Sequence, residues 1–373
     1  MTTAASPSPH AVCQRELVEA AVLAPSPDNN QPWRFAPGPD GLAIDLDPRR
    51  ALPSDVNSMF DLLGLGAAVE NACIAARQLG FEPRVDYGAQ PAGSVADLSR
   101  SAATITLSAG GRGDSLFPHL AARCTCRKLY STRPLPDRSV DRMAWAARRF
   151  SAVELDWITD RPRIRTFARL LMKSDRIRFE YEPFHNEIFR QLRFSADEAE
   201  RTRDGLDVRT LELPPGAGLI LRKLRPWNRM KWVHRLGLGR LLTLPSALSV
   251  VRSGALGVLC VGEPTPTRFL EGGRALQRIW LSAHAEGLSM QPLGSLPIFV
   301  AHLEQLHGRK LSPQHERVVR KLIRRLEDLL PAARGKTLLI AFRLGYATAP
   351  KFRSLRRLAE DVTVGSTAEA PPP

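Results

Sequence analysis

Lysine is scarce in this chain of 373 residues. Only 8 of its 53 basic positions are lysine and 45 are arginine. With 38 acidic residues the formal charge is +15. Such a field invites nucleic-acid or membrane partners. The arginine bias, in a chain also rich in alanine, proline and glycine, reads as coding composition, so charge is a weak guide to function here. Cysteine is also sparse: five residues, at 13, 73, 124, 126 and 260. An odd, scattered set excludes a disulfide framework and fits a reducing compartment, so a cytoplasmic location is expected. Cys124 and Cys126 form a C-x-C with no second pair, which argues against structural zinc. His302 and His307 are not spaced as a helical metal pair, and no metal site is expected. The N-terminal stretch lacks an apolar core, so no secretory signal is expected. No apolar run reaches ~18 residues, so no transmembrane segment is expected.

Several catalytic signatures are missing as well. There is no G-x-x-x-x-G-K-[ST]. Leu63-Gly64-Leu65-Gly66 begins like a dinucleotide fingerprint, but Val69 occupies the third small-residue position and no ribose-binding acid follows. Ser131, Ser151 and Ser249 lack a nucleophile-elbow context. What is present is ordinary globular composition, 43% hydrophobic and 24% charged, in a chain too long for one small domain.

The spacing predicts a helix over 10–24, then a proline- and asparagine-rich ordered loop (25–33), then short strands. An alanine-rich buried helix is expected over 61–80, ended by Gly80, and two short strand patterns lie within 84–108. Residues 109–115 mark a boundary. A helix (137–150), a strand (152–160) and a long helical stretch (162–197), interrupted near Pro183, follow. Residues 198–256 differ: no acid occurs between Glu212 and Glu263, while eight Lys/Arg do. This reads as an inserted lid. Next come a strand (258–262), a helix (271–287), the loop MQPLGSLP, an amphipathic helix (312–330) with Ser312 as N-cap, and a buried strand (337–345).

Residues 66–81 align without gaps on 273–288, an offset of 207. Gly66/Gly273, Ala68/Ala275, Ala76/Ala283 and Gly80/Gly287 are identical. A second stretch repeats in order, helix 10–24 and its strands against helix 137–150 and VELDWITDRPR. The pattern predicts a duplicated unit.

The loop APSPDNNQPWRF (24–35) resembles the A-P-S-x-x-N-x-Q-P-W-x-F signature of the FMN-dependent nitroreductase superfamily. That family's R-x-S-x-R phosphate motif has its best match in Arg123-Cys124-Thr125-Cys126-Arg127, with threonine in place of serine. It follows the QPW loop, an order that fits the internally duplicated Acg branch. KFRSLRRLAEDV (351–362) is similar to the family's C-terminal basic motif. The resemblance spans roughly 10–360. It implies an α+β nitroreductase-like fold of two fused pseudo-dimeric halves, each with a mixed or antiparallel sheet flanked by helices, plus a lid. The halves would be 10–115 and 116–362, with the insertion at about 198–256, a flexible lead-in (1–9) and a disordered tail (363–373).

The resemblance further implies one FMN between the halves and NADPH or NADH as donor. A nitro compound, quinone or other small molecule would be the electron acceptor. Arg123, Thr125, Arg127, Arg356 and Arg357 would bind the phosphate. Ser26, Asn29, Asn30 and Gln31 would meet the ring or ribityl chain, and the backbone at Pro292, Leu293, Gly294 and Ser295 would face the ring edge. No protein acid or base is named as catalytic. The chain would be a monomeric pseudo-dimer or a homodimer. Two other readings stand beside this one: a flavin-sequestering protein without turnover, and a basic membrane-surface or nucleic-acid binder working through 217–254 and 309–325. Nucleic acid is not the expected partner.

Overall fold

The computed structural model describes residues 9–88 and 102–364. The expected lead-in, but for Pro9, lies outside them. The expected tail lies outside from residue 365 onward, but its start does not: Val364 donates to the Phe35 carbonyl and Thr363 bridges the same residue.

The first part runs through α1 (Pro9–Val22), the hairpin β1 (Trp33–Gly38) and β2 (Gly41–Leu46), α2 (Met59–Gln78), β3 (Phe81–Tyr87) and β4 (Ala103–Ala109). Its strands form one antiparallel sheet in the order β1-β2-β4-β3. The second part opens with α3 (Asp137–Arg148) and β5 (Val153–Ile158). A mainly helical connection follows: α4 (Arg161–Glu180), α5 (Glu182–Gln191), β6 (Leu192–Arg193), α6 (Ala196–Thr202), β7 (Leu206–Asp207), α7 (Ala217–Lys223), α8 (Trp227–Arg235) and α9 (Gly239–Val251). The chain then completes a second sheet with β8 (Ala255–Val261), α10 (Pro266–Ala285), β9 (Ser289–Leu293), α11 (Ser295–Glu304), α12 (Pro313–Leu329) and β10 (Thr337–Gly345), and ends in α13 (Ala359–Val362). This sheet, ordered β5-β8-β10-β9, is also antiparallel. The fold is α+β, antiparallel sheets flanked by helices.

Both sheets share one wiring. Each reads first, second, fourth, third strand in chain order, with a helix before the first strand and another between the second and third. The connections differ: α11 and α12 lie between the third and fourth strands of the second sheet, and the first connection differs most. Gly38 and Gly41 close a tight hairpin between β1 and β2. The equivalent strands β5 and β8 pair just as regularly, yet residues 159–254 separate them. The extra segment is therefore longer at its start than the expected 198–256. At its end, Ala255 and Leu256 already belong to the sheet.

α2 is buried over 18 of its 20 residues, the mark of a helix apolar all round inside a core. By length and mean hydropathy α2 could cross a membrane, although Asp61, Glu70 and Asn71 interrupt its apolar run, and every residue of that window is buried inside the protein. It packs on α10. A Cβ at Gly66 would lie 2.0 Å from the Leu270 carbonyl oxygen, and one at Gly273 would lie 2.0 Å from that of Leu63. Only glycine permits such a close backbone approach. Leu63 and Leu270, like the two glycines, are 207 apart. Next along the seam, Arg278 donates to Glu70 (2.7 Å) and Gln277 to Asn71 (2.6 Å). Each contact is thus matched by the contact between the residues shifted by that offset, the relation found across a two-fold interface. Both helices then stop at a left-handed glycine, Gly80 (φ +86°) and Gly287 (φ +70°).

Other boundaries move for local reasons. The long stretch 162–197 divides at Tyr181, the residue before Glu182-Pro183, and α4 is started by the Asp160 side chain accepting from Arg163 N. α10 begins at Pro266, before the expected 271, because Thr265 caps it with proline in the first turn. The loop MQPLGSLP is not a loop. Pro292 and Leu293 lie in β9, an edge strand that tolerates a proline, and Ser295 opens α11.

Candidate functional site

The loop after α1 is built under strain. Asp28, Asn29 and Gln31 all have positive φ (+45°, +57° and +51°), a conformation that costs free energy at non-glycine residues and clusters at functional sites. Its closure is local: Ser26 Oγ accepts from Gln31 N at 2.9 Å, and Asn29 N donates to Ser26 O. Trp33 anchors the loop's exit, wholly buried.

Beside this loop lies a cavity of about 390 Å³, within the range that small-molecule sites occupy. It gathers four distant segments: Ser26 and Asn29, Thr125 and Arg127, Pro292 to Ser295, and Ser354 and Arg356. Nine of the thirteen residues expected from sequence therefore line one space. The other four do not, and each has a different job. Asn30 donates to Asp61 Oδ1 (2.7 Å) and Arg50 O (2.9 Å). Gln31 donates to Arg203 O and accepts from Arg357 N. Arg123 sits behind the lining, over the Trp280 ring at 4.5 Å, and donates to Leu23 O. Burial pushes its guanidinium down to about 9, with Arg356 and Arg353 adding repulsion. Arg357 turns its side chain to Asp361 O. Its neighbour Arg356 takes the inward position.

Two guanidiniums from the expected motifs thus reach the cavity. Arg356 donates to Ala24 O (3.0 Å) and Asn29 Oδ1 (2.8 Å), and burial beside Arg353 lowers it to about 10. Arg127 donates to Thr210 O at 3.2 Å, and burial lowers it too. Neither is paired with a carboxylate at salt-bridge distance among the described residues. A third, Arg178, was not anticipated. It pairs with Asp28 at 3.2 Å, and although burial opposes it, Asp28, Asp175 and Glu187 hold it above the ordinary arginine range.

The lining also carries the carboxyls of Asp28, Asp55 and Asp175, while Asp61 and Glu187 lie near Asp55 without lining the cavity. Asp55 accepts from Phe60 N (3.0 Å) and Asp61 N (2.9 Å) at the start of α2. Glu187 accepts from Ser54 N at 2.7 Å and from its hydroxyl. Burial raises Asp55 to about 7 and raises Asp61, Glu187 and Asp175 as well. Asp55 and Asp61, adjacent at the start of α2, titrate as a pair rather than singly. His302 donates to the Ser54 carbonyl, a structural tie that fixes this turn. A carboxyl whose folded pKa exceeds its unfolded value stabilises most below about pH 4, and that contribution is lost as pH rises through about 7. Asp55→Asn is therefore expected to flatten the decline of thermal stability between pH 5 and pH 8. The change should be at least about 1.4 kcal/mol, the free energy of a tenfold difference in proton affinity. Melting curves across that range test it; a slope equal to the wild type's contradicts it.

The inserted connection closes part of the cavity. Leu206, Leu211, Ser246 and Ser249 are in the lining. The segment 203–210 is strapped to the signature loop: Asn29 donates to Gly205 O (3.0 Å), Gln31 to Arg203 O (2.8 Å), and Arg50 pairs with Asp204. Arg203 in turn donates to Arg356 O at 2.7 Å. The amides of the signature thus spend most of their polar atoms on backbone and on the side chains of Asp61 and Arg356. Arg343 is a further positioning residue that sequence reasoning missed. Fully buried in β10, it donates to Gln291 Oε1 (2.7 Å), Ser249 O (3.0 Å) and Lys128 O (2.8 Å) and lies 3.8 Å over Tyr130. A lone arginine in the otherwise apolar TLLIAFRLG was the available signal. Cys126 is buried and Cys124 half-buried, both as free thiols.

The cavity's chemistry fits a phosphorylated aromatic ligand. Arg127, Arg356 and the Thr125 hydroxyl supply donors for an anion, and Phe60, Leu293, Ile340 and Trp280 supply apolar walls. No family model matches the chain. It is 29% identical over 348 residues to an uncharacterized protein of Mycobacterium tuberculosis, covering 92% of this chain and 47% of that one. It is also 29% identical over 149 residues to a "Putative NAD(P)H nitroreductase" of the same organism, covering 38% of this chain and 41% of that one. The chain thus spans about half the length of the curated relatives it matches. Among solved structures, an FMN- and NADPH-dependent nitroreductase from a Sphingopyxis strain is 16% identical, covering 67% of this chain and 97% of its own, with TM-score 0.38. A nitroreductase with bound FMN from Bacteroides fragilis is 10% identical, covering 65% and 95%, with TM-score 0.34.

Proposed function

We propose that this chain is an FMN-binding oxidoreductase of the nitroreductase type, built as an internal duplication. The observation that carries this reading is the single cavity into which the signature loop, the 123–127 segment, the 292–295 segment and the C-terminal basic segment converge. The shared wiring of the two sheets and the reciprocal α2–α10 seam support the duplication, which supplies within one chain an interface of the kind dimers build from two. Arg127, Arg356 and Thr125 would hold the phosphate. Ser26, with backbone at Gly294 and Ser295, would meet the ring system. Asn29 and Gln31 hold the walls in place.

When bound, FMN supplies two-electron chemistry between NAD(P)H and a small nitro, quinone or other acceptor. Arg356 and Arg127 would place positive charge at its anionic end, and the strap from 203 to 210 would help to cover the site. The absorption spectrum tests the reading. The purified protein is expected to be yellow, or to become so with FMN, and to bleach on mixing with NADPH. A protein that stays colourless with FMN overturns it. A second reading, a flavin-sequestering protein without turnover, is favoured by the strap itself. It predicts a yellow protein that NADPH does not bleach.

A further inference from the structure

The inserted connection has an outer face that the cavity does not explain. Of fifteen exposed large hydrophobic residues among those described, eight fall between 219 and 248. Six of them run from one helix into the next. Trp232 (62% exposed) and Leu236 (67%) sit one turn apart at the end of α8. Leu238, Leu241, Leu244 and Leu248 then follow at helical spacing along α9. The other side of α9 faces inward, where Ser246 and Ser249 line the cavity. An apolar stripe of this kind, left in water, marks an interaction surface.

Within the segment itself the charge is of one sign, although Glu180 of α4 reaches His234 at 3.8 Å. Arg222, Lys223, Arg225, Arg229, Lys231 and Arg235 are all exposed, and no acidic residue occurs from 213 to 262. None of these six makes an ion pair with a carboxylate among the described residues. Arg235 lies over the Trp232 ring at 5.2 Å, placing cation and indole together. The apolar segment Leu241–Val251 is too short to span a bilayer.

We infer that α8 and α9 dock this protein on an anionic phospholipid surface, with the leucine stripe and Trp232 at the acyl boundary and the cations among the headgroups. Two features select this occupant. Leucine and tryptophan beside unpaired lysine and arginine is the pattern of helices that lie in a membrane interface. A nucleic acid would meet the cations but leave the leucine stripe in water. Docking of this kind does not depend on flavin binding. Its consequence is positional: α9 would separate the bilayer from the cavity by one helix.

Flotation of the full chain with vesicles tests it. Binding is expected to vesicles containing phosphatidylglycerol in phosphatidylcholine, to be at least about tenfold weaker to phosphatidylcholine alone, and to fall with added salt. Leu241→Ser/Leu244→Ser and Arg229→Ser/Lys231→Ser, all exposed positions, are each expected to lose most of the binding while keeping the wild-type circular dichroism and melting temperature. Equal binding to neutral and anionic vesicles, or no binding, overturns the proposal. So does light scattering that shows the stripe buried in a dimer which the leucine variants dissociate.

Discussion

Glu70→Ala is expected to destabilise the protein by about 3–5 kcal/mol, the range for breaking a buried ion pair from one side. Glu70 is 2% exposed, on α2. Two guanidiniums from α10 converge on it, Arg274 Nε at 2.8 Å and Arg278 Nη1 at 2.7 Å. Without the carboxylate these cations face each other inside the seam that joins the two parts. Asp114, 3.1 Å from Arg278, is the remaining counter-charge. Arg274 keeps Tyr87 and the face of the Phe150 ring, neither of which neutralises it. Glu70→Gln keeps the shape and loses the charge, so its cost is expected to be smaller. Urea unfolding followed by circular dichroism gives both values, and the alanine variant should melt lower by on the order of 10 °C. A loss under about 1 kcal/mol would show that Asp114 and solvent compensate, and that the seam is looser than its geometry.

The seam also shows what the sequence made legible. The offset of 207 between Gly66 and Gly273 was visible as a repeated pattern of small residues. The structure turns the same offset into reciprocal contacts, because helices brought this close need glycine at each crossing point. Capping chemistry was equally readable: Ser312 caps α12 and Gly80 ends α2 with positive φ. The side-chain duties within the signature were not. Asn30 and Gln31 look like ligand groups in one dimension, yet their amides satisfy Asp61 and the Arg203 carbonyl. Those partners are 31 and 172 residues away, separations that local spacing does not encode. The same holds for the buried carboxyls. Asp55 stands in the turn before α2, Asp175 in α4 and Glu187 in α5, and burial raises all three. That all of 159–254 lies between two paired strands emerges only when β5 is seen to pair with β8 as β1 pairs with β2.

The C-terminal basic motif offers the sharper functional test, because adjacent arginines have opposite orientations. Arg127→Ala is expected to weaken FMN binding by about 10- to 100-fold, the loss of hydrogen bonds to a charged group. Arg127 faces the cavity and, among the described residues, has the Thr210 carbonyl as its one acceptor at hydrogen-bond distance, so most of its donors are available to a ligand. Arg356→Ala is expected to do at least as much. It removes a cavity cation and also releases Asn29 Oδ1, which Arg356 holds at 2.8 Å, so the signature loop loses a restraint. Arg357→Ala should bind FMN like the wild type, since that side chain is spent on the Asp361 carbonyl and its backbone N–H, which serves Gln31, survives substitution. Quenching of flavin fluorescence during titration measures all three. Removing the phosphate gives a control: riboflavin should bind the wild type and Arg127→Ala with nearly equal affinity, because the arginine then has no anion to meet. If Arg357→Ala rather than Arg356→Ala lost FMN, the C-terminal segment would have to be rotated by one residue against the signature loop. The pairs Arg356–Asn29 and Arg357–Gln31 would then break together.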